Sequence, residues 1–396
     1  MAIALRAIDS DGHLTEPGDL WENYIDAKYR DTCPRLTTLP DGTAIFRIDD
    51  RITSRDPDRI SRQVGPLKFG INNSTTFGAR NGNVPMDQPY YEGERGGFDP
   101  HERIKWMDRE GFDGTVLFPT MALGAIHGII DPDRQEAVAN AYNRYVADFC
   151  KPYPDRLFGA ALLPTLSIEG SLREVANAKK LGLNAGVVRP NPVAGRGLHD
   201  PHFYPVWELC QELDLPIAVH GLTGADNLGM DRFDTQSVNF TDSAPIKPKC
   251  HSFSVEHCFV HAAEMMAAAT SFVLGGICDK FPRLRVAFVE SGGAWMPGYV
   301  DRMDRHFDDL GSNDTGLSMR PSEIFKRQCF VSFEPVERSI AVLAEYFGPN
   351  KLMVASDYPH SDGFPNAVQT VRNLKLKPEV EAALLSAGFR QWYGLN

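Results

Sequence analysis

The sequence predicts a distorted (β/α)8 barrel, an α/β fold with a cap-like insertion after its first strand. Eight short apolar runs recur along the 396 residues, and a stretch of helical period follows most of them. Continuous hydrophobicity is typical of strands that are buried on both faces. Alternating strands and helices with right-handed crossovers form parallel sheets. Eight such units favour a closed barrel over an open sheet, and the glycine motifs of nucleotide-binding open sheets are missing from the sequence.

The predicted elements cover most of the chain, and we expect residues 1–396 to form a single domain. The eight predicted strands are Ala7–Asp11, Thr115–Pro119, Phe158–Pro164, Ala185–Asn191, Ile217–His220, Arg285–Glu290, Phe330–Glu334 and Met353–Asp357. The clearest predicted helices are Asp133–Cys150, Ile168–Leu181, Phe203–Leu213, Phe259–Phe281 and Glu337–Phe347.

Two long segments interrupt this repeat. Residues 21–98 separate the first two strands by much more than an ordinary loop, and they include runs such as Thr43–Ile48 that could pair as short strands. We interpret residues 21–98 as a cap or a dimer contact. The second segment, Gly221–Glu256, follows the fifth strand, so both would lie on the barrel rim where active sites are built. Aromatic residues in the first segment suggest an enclosed pocket: Trp21, Phe77, Tyr90 and Tyr91.

Composition and charge exclude several classes of partner. Asp and Glu total 52 against 41 Lys and Arg, and no basic stripe stands out, which argues against a nucleic-acid partner. The longest apolar stretch, Ala267–Gly276, is too short to span a bilayer, so we expect no membrane partner. The seven cysteines form no CxxC pair and the N-terminus does not resemble a signal peptide. We therefore expect reduced thiols and a cytoplasmic protein.

Acidic residues and histidines collect at the ends of the predicted strands. In chain order these strand-end residues are Asp11, His13, Arg189, His220, Glu290, Glu334, Asp357 and His360. The carboxyl ends of barrel strands converge on one pocket. Carboxylates and imidazoles together are the usual ligands of a divalent cation. The sequence therefore predicts a metal centre at this end of the barrel.

The first strand supplies the clearest pair of ligands. Asp11 and His13 are separated by one residue, so in extended backbone their side chains share a face and can hold one ion together. A turn acid and a surface histidine would give the same pattern. Glu16 is a ligand, a residue that orients ligands, or an acid at a helix start. His220 ends a wholly apolar strand and could instead be an ordinary core histidine.

Two further positions have similar alternatives. His257 and His261 lie four residues apart on a predicted helix, and we favour His261 as the inward residue. Glu290 ends a buried strand, where an unpaired carboxylate would be costly. A metal or an imidazolium would remove that cost, although the carboxylate could also cap the helix near Trp295.

The last strand returns to the first when the barrel closes. Asp357 would then lie beside Asp11 and His13, as a ligand or as a base that acts on metal-bound water. His360 follows a proline turn and is a candidate for orienting a ligand or for binding the substrate. The sequence contains no GxSxG motif, so acyl-enzyme chemistry is not expected.

Four motifs together resemble the amidohydrolase-related family, which includes the aminocarboxymuconate-semialdehyde and resorcylate decarboxylases. They are the DxHxxEP that begins at Asp11, the VHG that ends at Gly221, the stretch Gly275–Val286 and the SDYPH that ends at His360. The resemblance implies a distorted (β/α)8 barrel with metal ligands at Asp11, His13, His220 and Asp357.

The candidate set contains three carboxylates and three imidazoles, more than one catalytic ion needs. Two ions about 3.5–4 Å apart would use all six. The chain is thus similar to a carboxylate-rich branch of the family, which includes dinuclear iron or Mn/Fe monooxygenases such as 2-aminoisobutyrate hydroxylase. We therefore expect an O2-dependent hydroxylase of a small organic substrate. Asp11, His13 and Asp357 would hold one ion, His220 and His261 the other, and Glu290 would bridge them. The catalytic residues would be Asp357, Glu290 and Glu16, and Glu16 or Glu334 could move onto an ion.

The alternative is a mononuclear zinc or manganese decarboxylase or hydrolase. In that reading Asp357 is the acid or base, and Arg189 or the cap binds a substrate carboxylate. A third possibility is a non-catalytic barrel that supports a catalytic paralogue. Either a homo-oligomer or a complex with a paralogous subunit is expected.

Overall fold

The computed structural model describes residues 5–17, 19–38, 44–48, 51–52, 94–221, 253–360 and 362–395. Eight parallel strands form the main sheet, and each is paired with the next one in the barrel. In chain order they are β1 (Ile8–His13), β5 (Gly114–Phe118), β6 (Leu157–Leu162), β7 (Ala185–Val188), β8 (Ile217–His220), β9 (Val286–Val289), β10 (Cys329–Phe333) and β11 (Leu352–Val354). The expected fold class is confirmed.

The barrel closes between the first and last strands through backbone hydrogen bonds that lie beyond the end of β11. The amide of His13 donates to the carbonyl of Tyr358 at 2.7 Å, and the amide of Asp357 donates to the carbonyl of Asp11 at the same distance. An isolated parallel bridge joins Gly12 to Tyr358. The seam is therefore closed by the residues that carry the expected ligands.

The helices surround the barrel. Those of at least seven residues are Pro100–Glu110, Met121–Gly128, Pro132–Cys150, Ile168–Lys180, Tyr204–Glu212, Phe253–Ala269, Met296–Leu310, Pro321–Gln328, Ile340–Phe347 and Ala367–Asn373. Shorter ones are Leu20–Tyr24, Ile277–Lys280, Ser312–Thr315, Pro378–Ala382 and Gly388–Tyr393. Four of the five predicted helices are confirmed, with ends that differ from the prediction by a few residues. The fifth, Phe259–Phe281, is divided into the helix Phe253–Ala269, a π-helical turn Thr270–Leu274 and the short helix Ile277–Lys280, with Gly276 at a positive φ before the last.

The insertion after β1 contains a small sheet of its own. Strands β2 (Arg35–Thr38), β3 (Ala44–Ile48) and β4 (Arg51–Ile52) pair antiparallel, so the expected short strand near Thr43–Ile48 is confirmed. Trp21 is buried in the barrel core. The aromatic residues Phe77, Tyr90 and Tyr91 lie outside the described residues, and the role of residues 21–98 as a cap or dimer contact stays a prediction.

One helical region is long and apolar. Cys258–Lys280 meets the length and composition of a membrane-spanning helix, with 44% of its apolar window buried inside the protein. Met265, Ala268 and Phe272 are fully buried against the barrel. This helical region is therefore accounted for as a layer of the barrel core.

The packing of the last helix onto the barrel gives a testable prediction. A Cβ on Gly388 would lie 2.0 Å from the carbonyl oxygen of Leu352, a backbone atom of β11 that cannot move aside. We expect Gly388→Ala to lower the free energy of unfolding by about 1–3 kcal/mol or more, as overpacking does. The measurement is chemical denaturation of the purified variant.

Gly298 provides the matched control, because it also lies in a helix but a Cβ added to it would have no neighbouring atom within 4 Å. Gly298→Ala should be neutral or stabilising by up to about 1 kcal/mol, since alanine has the better helix propensity. Equal effects of the two substitutions would contradict the close packing of Gly388 on β11.

Candidate metal centre

The first strand brings two expected ligands to the barrel mouth through an irregular segment. The register between β1 and β5 shifts between Asp9 and Gly12. A Cβ on Gly12 would lie 2.4 Å from Thr115 Oγ1 and 2.8 Å from the Val116 carbonyl, so only glycine allows this close approach. Asp11 and His13 are both buried.

Asp11, His13 and His220 form the first group of converging donor atoms. One donor atom from each lies within 4.8 Å of the others, and all three residues are buried. His220 Nε2 is 3.3 Å from Asp11 Oδ1 and 3.2 Å from His13 Nε2. His13 Nε2 is 3.4 Å from Asp11 Oδ1. The expectation that distant strands bring these three side chains together is confirmed by the geometry.

The second group is His13, Asp357 and His360, and it shares His13 with the first. Asp357 Oδ1 is 3.5 Å from His13 Nε2 and 2.7 Å from His360 Nδ1. The other ring nitrogen of His360 lies 3.0 Å from the hydroxyl of Thr120. Asp357 therefore lies beside the first group, with His360 behind it.

The protonation states of Asp11 and His13 suit metal binding. Burial alone would raise the pKa of Asp11, but its hydrogen bonds with His13 and His220 outweigh this and hold the pKa well below the ordinary value. Burial, together with His360, lowers the pKa of His13 to about 3. At neutral pH Asp11 is therefore an anion and His13 a neutral imidazole, the forms that ligate metals.

The pKa values of His220 and Asp357 are raised, whereas those of Asp11 and His13 are lowered. Burial would lower the pKa of His220, but the adjacent carboxylates of Glu290 and Asp11 raise it well above its ordinary value. Burial raises the pKa of Asp357, and the nearby negative charges of Asp362, Glu290 and Asp11 add to the shift. In the metal-free protein both side chains therefore favour their protonated forms.

Glu290 and His261, which were expected to bind metal, lie next to the centre. The Glu290 carboxylate is 3.0 Å from His220 Nδ1, the ring nitrogen that faces away from Asp11. His261 Nδ1 lies 2.9 Å from the Glu290 carbonyl oxygen. Neither side chain belongs to the two donor groups among the described residues. Their assignment as ligands, and that of Glu290 as a bridge, stays a prediction that this geometry does not support.

Glu16 caps a helix. Its carboxylate oxygens accept hydrogen bonds from the backbone amides of Thr120, Met121 and Ala122, at the start of the helix Met121–Gly128. The N-terminus of a helix stabilises such an anion. One expectation for Glu16 was the acid at a helix start that precedes Pro17, but it caps the start of a different helix, Met121–Gly128. Its roles as a ligand and in catalysis stay predictions.

The remaining predicted residues lie at strand ends as expected. Arg189 follows β7 and is buried, next to the strand that carries His220. Glu334 follows β10, and its amide donates to the carboxylate of Glu337. The side chain of His257 lies outside the described residues.

Sequence reasoning missed residues that hold the ligands in place. Asp9 lies under the first group and accepts hydrogen bonds from the Ser356 amide and hydroxyl at 2.8 Å, and from the Thr115 hydroxyl at 2.9 Å. Glu337 accepts from the amides of Gly293 and Ala294, in the loop that follows Glu290. Asp9 could have been predicted, because it lies two residues before Asp11 on the same strand and its side chain should face the same side. No feature of the sequence near Glu337 predicts its contacts.

The donor set fits a single divalent ion. One carboxylate and two imidazoles, all buried and near each other, are a ligand set for zinc or manganese that leaves positions open for substrate. The two groups of donors overlap at His13, so they describe one continuous centre.

Comparison with known proteins supports this chemistry. The model of the amidohydrolase family matches residues 8–394. The 2-amino-3-carboxymuconate-6-semialdehyde decarboxylase of Dictyostelium discoideum is 24% identical over 304 residues, which cover 76% of this chain and 77% of that protein. The gamma-resorcylate decarboxylase of a Polaromonas species is 25% identical over 208 residues, 51% of this chain and 58% of that one.

Solved structures share the fold. An amidohydrolase from Mycobacterium avium subsp. paratuberculosis has a TM-score of 0.77 and 18% identity, and the match covers 99% of this chain and 100% of that one. A dihydroxybenzoic acid decarboxylase from Polaromonas, solved with bound manganese and the inhibitor 2-nitroresorcinol, has a TM-score of 0.63 and 16% identity, covering 98% and 97%.

These findings correct the expected activity. The prediction of a dinuclear iron or Mn/Fe monooxygenase is wrong, because the curated relatives are decarboxylases. The expected pair of iron ions has no support either, since the related structure holds manganese and the described donors form one centre. The match to the family model, together with the barrel and the candidate ligands at its strand ends, shows that the chain belongs to the amidohydrolase family.

Proposed function

We propose that the protein is a divalent-metal-dependent decarboxylase of a small carboxylated substrate. The observation that carries the proposal is the buried group of Asp11, His13 and His220 with Asp357 beside it, in a chain whose relatives include decarboxylases. The first three residues would hold one Mn²⁺ or Zn²⁺ ion. The ion would polarise a substrate oxygen and stabilise the negative charge that develops as CO2 leaves.

Arg189 is proposed to bind the substrate. It is buried at the end of β7, on the strand next to the one that carries His220. A guanidinium binds a carboxylate through two parallel hydrogen bonds, which fixes the orientation of the carboxylate as well as its position.

Asp357 is proposed to transfer the proton. Loss of CO2 breaks a carbon–carbon bond and leaves the electron pair on the substrate carbon, which must then gain a proton. Burial and neighbouring acids raise the pKa of Asp357, so this residue can hold a proton at neutral pH. His360, 2.7 Å away, holds the carboxyl in place, and its role in substrate binding stays a prediction.

Decarboxylation needs metal but no oxygen, and this gives the first test of function. We expect the manganese-loaded protein to release CO2 from at least one member of a panel of hydroxylated benzoates under anaerobic conditions. Chelation should abolish the release and added Mn²⁺ should restore it. The measurement is CO2 evolution together with chromatography of the product. Hydrolysis without CO2 release, or strict dependence on O2, would contradict the proposal.

Three single variants test which residues bind the metal and which one transfers the proton. His220→Ala should lose metal and activity, whereas His202→Ala, which changes an exposed histidine, should keep both. Asp357→Asn should retain the fold and lower kcat by about 10²–10⁴-fold, the usual contribution of a general acid. An Asp357→Asn variant with unchanged kcat would remove Asp357 from the proton-transfer step.

Manganese affinity should also depend on pH. His220 must lose its proton to bind the ion, and its pKa in the metal-free protein is raised by Glu290 and Asp11. Below that pKa the affinity should increase about tenfold for each pH unit, and binding should release a proton. Titration calorimetry in two buffers of different ionisation enthalpy measures this proton release.

Glu290→Gln is the matched variant for the pH experiment. It removes the negative charge that raises the pKa of His220, so the His220 proton should be lost at lower pH. Near neutral pH the variant should release less proton on binding Mn²⁺ and show a weaker pH dependence. Identical proton release from both proteins would show that Glu290 does not set the protonation state of His220 near neutral pH.

A further inference from the structure

Arg103 is a fully buried arginine that touches the backbone of the metal centre. It lies in the helix Pro100–Glu110, and its side chain is fully buried. Its Nη2 donates a hydrogen bond to the carbonyl oxygen of His13. Its Nε donates to the carbonyl oxygen of Gly96 at 2.8 Å. One guanidinium therefore joins the end of β1 to the segment that enters the helix.

The same guanidinium also contacts the segment after the last strand. Its central carbon lies 4.5 Å from the ring centroid of Tyr358, the residue that follows Asp357. Trp106 stacks on the Tyr358 ring at 3.9 Å between centroids, and the Tyr358 hydroxyl donates to Glu94 at 3.2 Å. Arg103 thus touches both sides of the seam that brings His13 and Asp357 together.

The energetics of Arg103 argue against a role in stability alone. It forms no ion pair with a carboxylate among the described residues, and its Nη1 makes no hydrogen bond there. Burial lowers the pKa of Arg103 to about 10, so it remains charged at neutral pH. Burying a charge without a counter-ion costs free energy. A charge retained at such a cost needs another explanation.

We propose that Arg103 is a positioning residue of the metal centre, which fixes the His13 backbone against the Tyr358 ring and so sets the separation of His13 and Asp357. This inference rests on the proposed metal-dependent function. It assigns Arg103 no contact with substrate or metal. Its effect passes through the backbone of one ligand and the neighbour of another residue in the centre.

Manganese binding tests the inference independently of catalysis. We expect Arg103→Met to weaken Mn²⁺ binding by about 10–100-fold, the usual effect of losing a group that orients ligands. The Kd is measured by titration calorimetry on the full chain. Thermal unfolding of the metal-free protein is recorded in parallel, and its Tm should fall, because the carbonyls of His13 and Gly96 lose their donor. Arg103→Lys keeps the charge but can donate well to only one of the two carbonyls, so its Kd for Mn²⁺ should be intermediate. This variant also serves as the test if Arg103→Met does not fold.

Arg156 is the matched control because it also binds two backbone carbonyls, at the opposite end of the barrel. Its Nε and Nη2 donate to the carbonyls of Asp113 and Phe112 at 2.8 and 2.9 Å. Arg156→Met should lower the Tm and leave the Kd for Mn²⁺ unchanged.

Each outcome has a defined meaning. An unchanged Kd in both Arg103 variants would overturn the positioning role while leaving the metal-dependent function intact. An equal loss of Mn²⁺ affinity in Arg156→Met at a similar loss of Tm would show a purely structural effect and would also overturn it. A wild-type protein that binds no Mn²⁺ would overturn both proposals, whereas metal binding without CO2 release would overturn the decarboxylase alone.

Discussion

The closure of the barrel between β1 and β11 is the constraint on which the centre depends. β11 ends at Val354, three residues before Asp357, so strand pairing does not place this acid. Two backbone hydrogen bonds across the seam place it instead, together with Asp9, which holds Ser356 from below. Any change that opens the seam would separate His13 from Asp357. The same backbone hydrogen bonds therefore close the barrel and position the candidate ligands.

Local backbone geometry decides where the strand-end acids point. Glu290 and Asp357 both have positive φ, 59° and 55°, a conformation that costs a residue with a side chain about 1–3 kcal/mol. Each carboxylate is held in contact with a histidine, Glu290 with His220 and Asp357 with His360. The strain is offset by these contacts and by hydrogen bonds from the surrounding loops.

Much of the fold could be predicted from sequence because its signals are local. Buried parallel strands are continuous apolar runs, and all eight were found within a few residues of their ends. The group of Asp11, His13 and His220 follows from the barrel rule that strand ends converge. Arg103 could not be found in this way. Its partners are the backbone carbonyl of His13 and the ring of Tyr358, far along the chain, and the sequence of its helix reveals neither contact.

The wrong prediction of a dinuclear oxygenase has a specific physical cause. It counted acids and imidazoles at strand ends as if each pointed at a common ion. A strand end fixes the Cα position, but the dihedral angles of that residue fix the direction of its side chain. Glu290 contacts Nδ1 of His220, whereas Nε2 of the same ring faces Asp11. Its charge therefore raises the proton affinity of His220, a candidate ligand, and a second ion is not needed to explain why a carboxylate is held there.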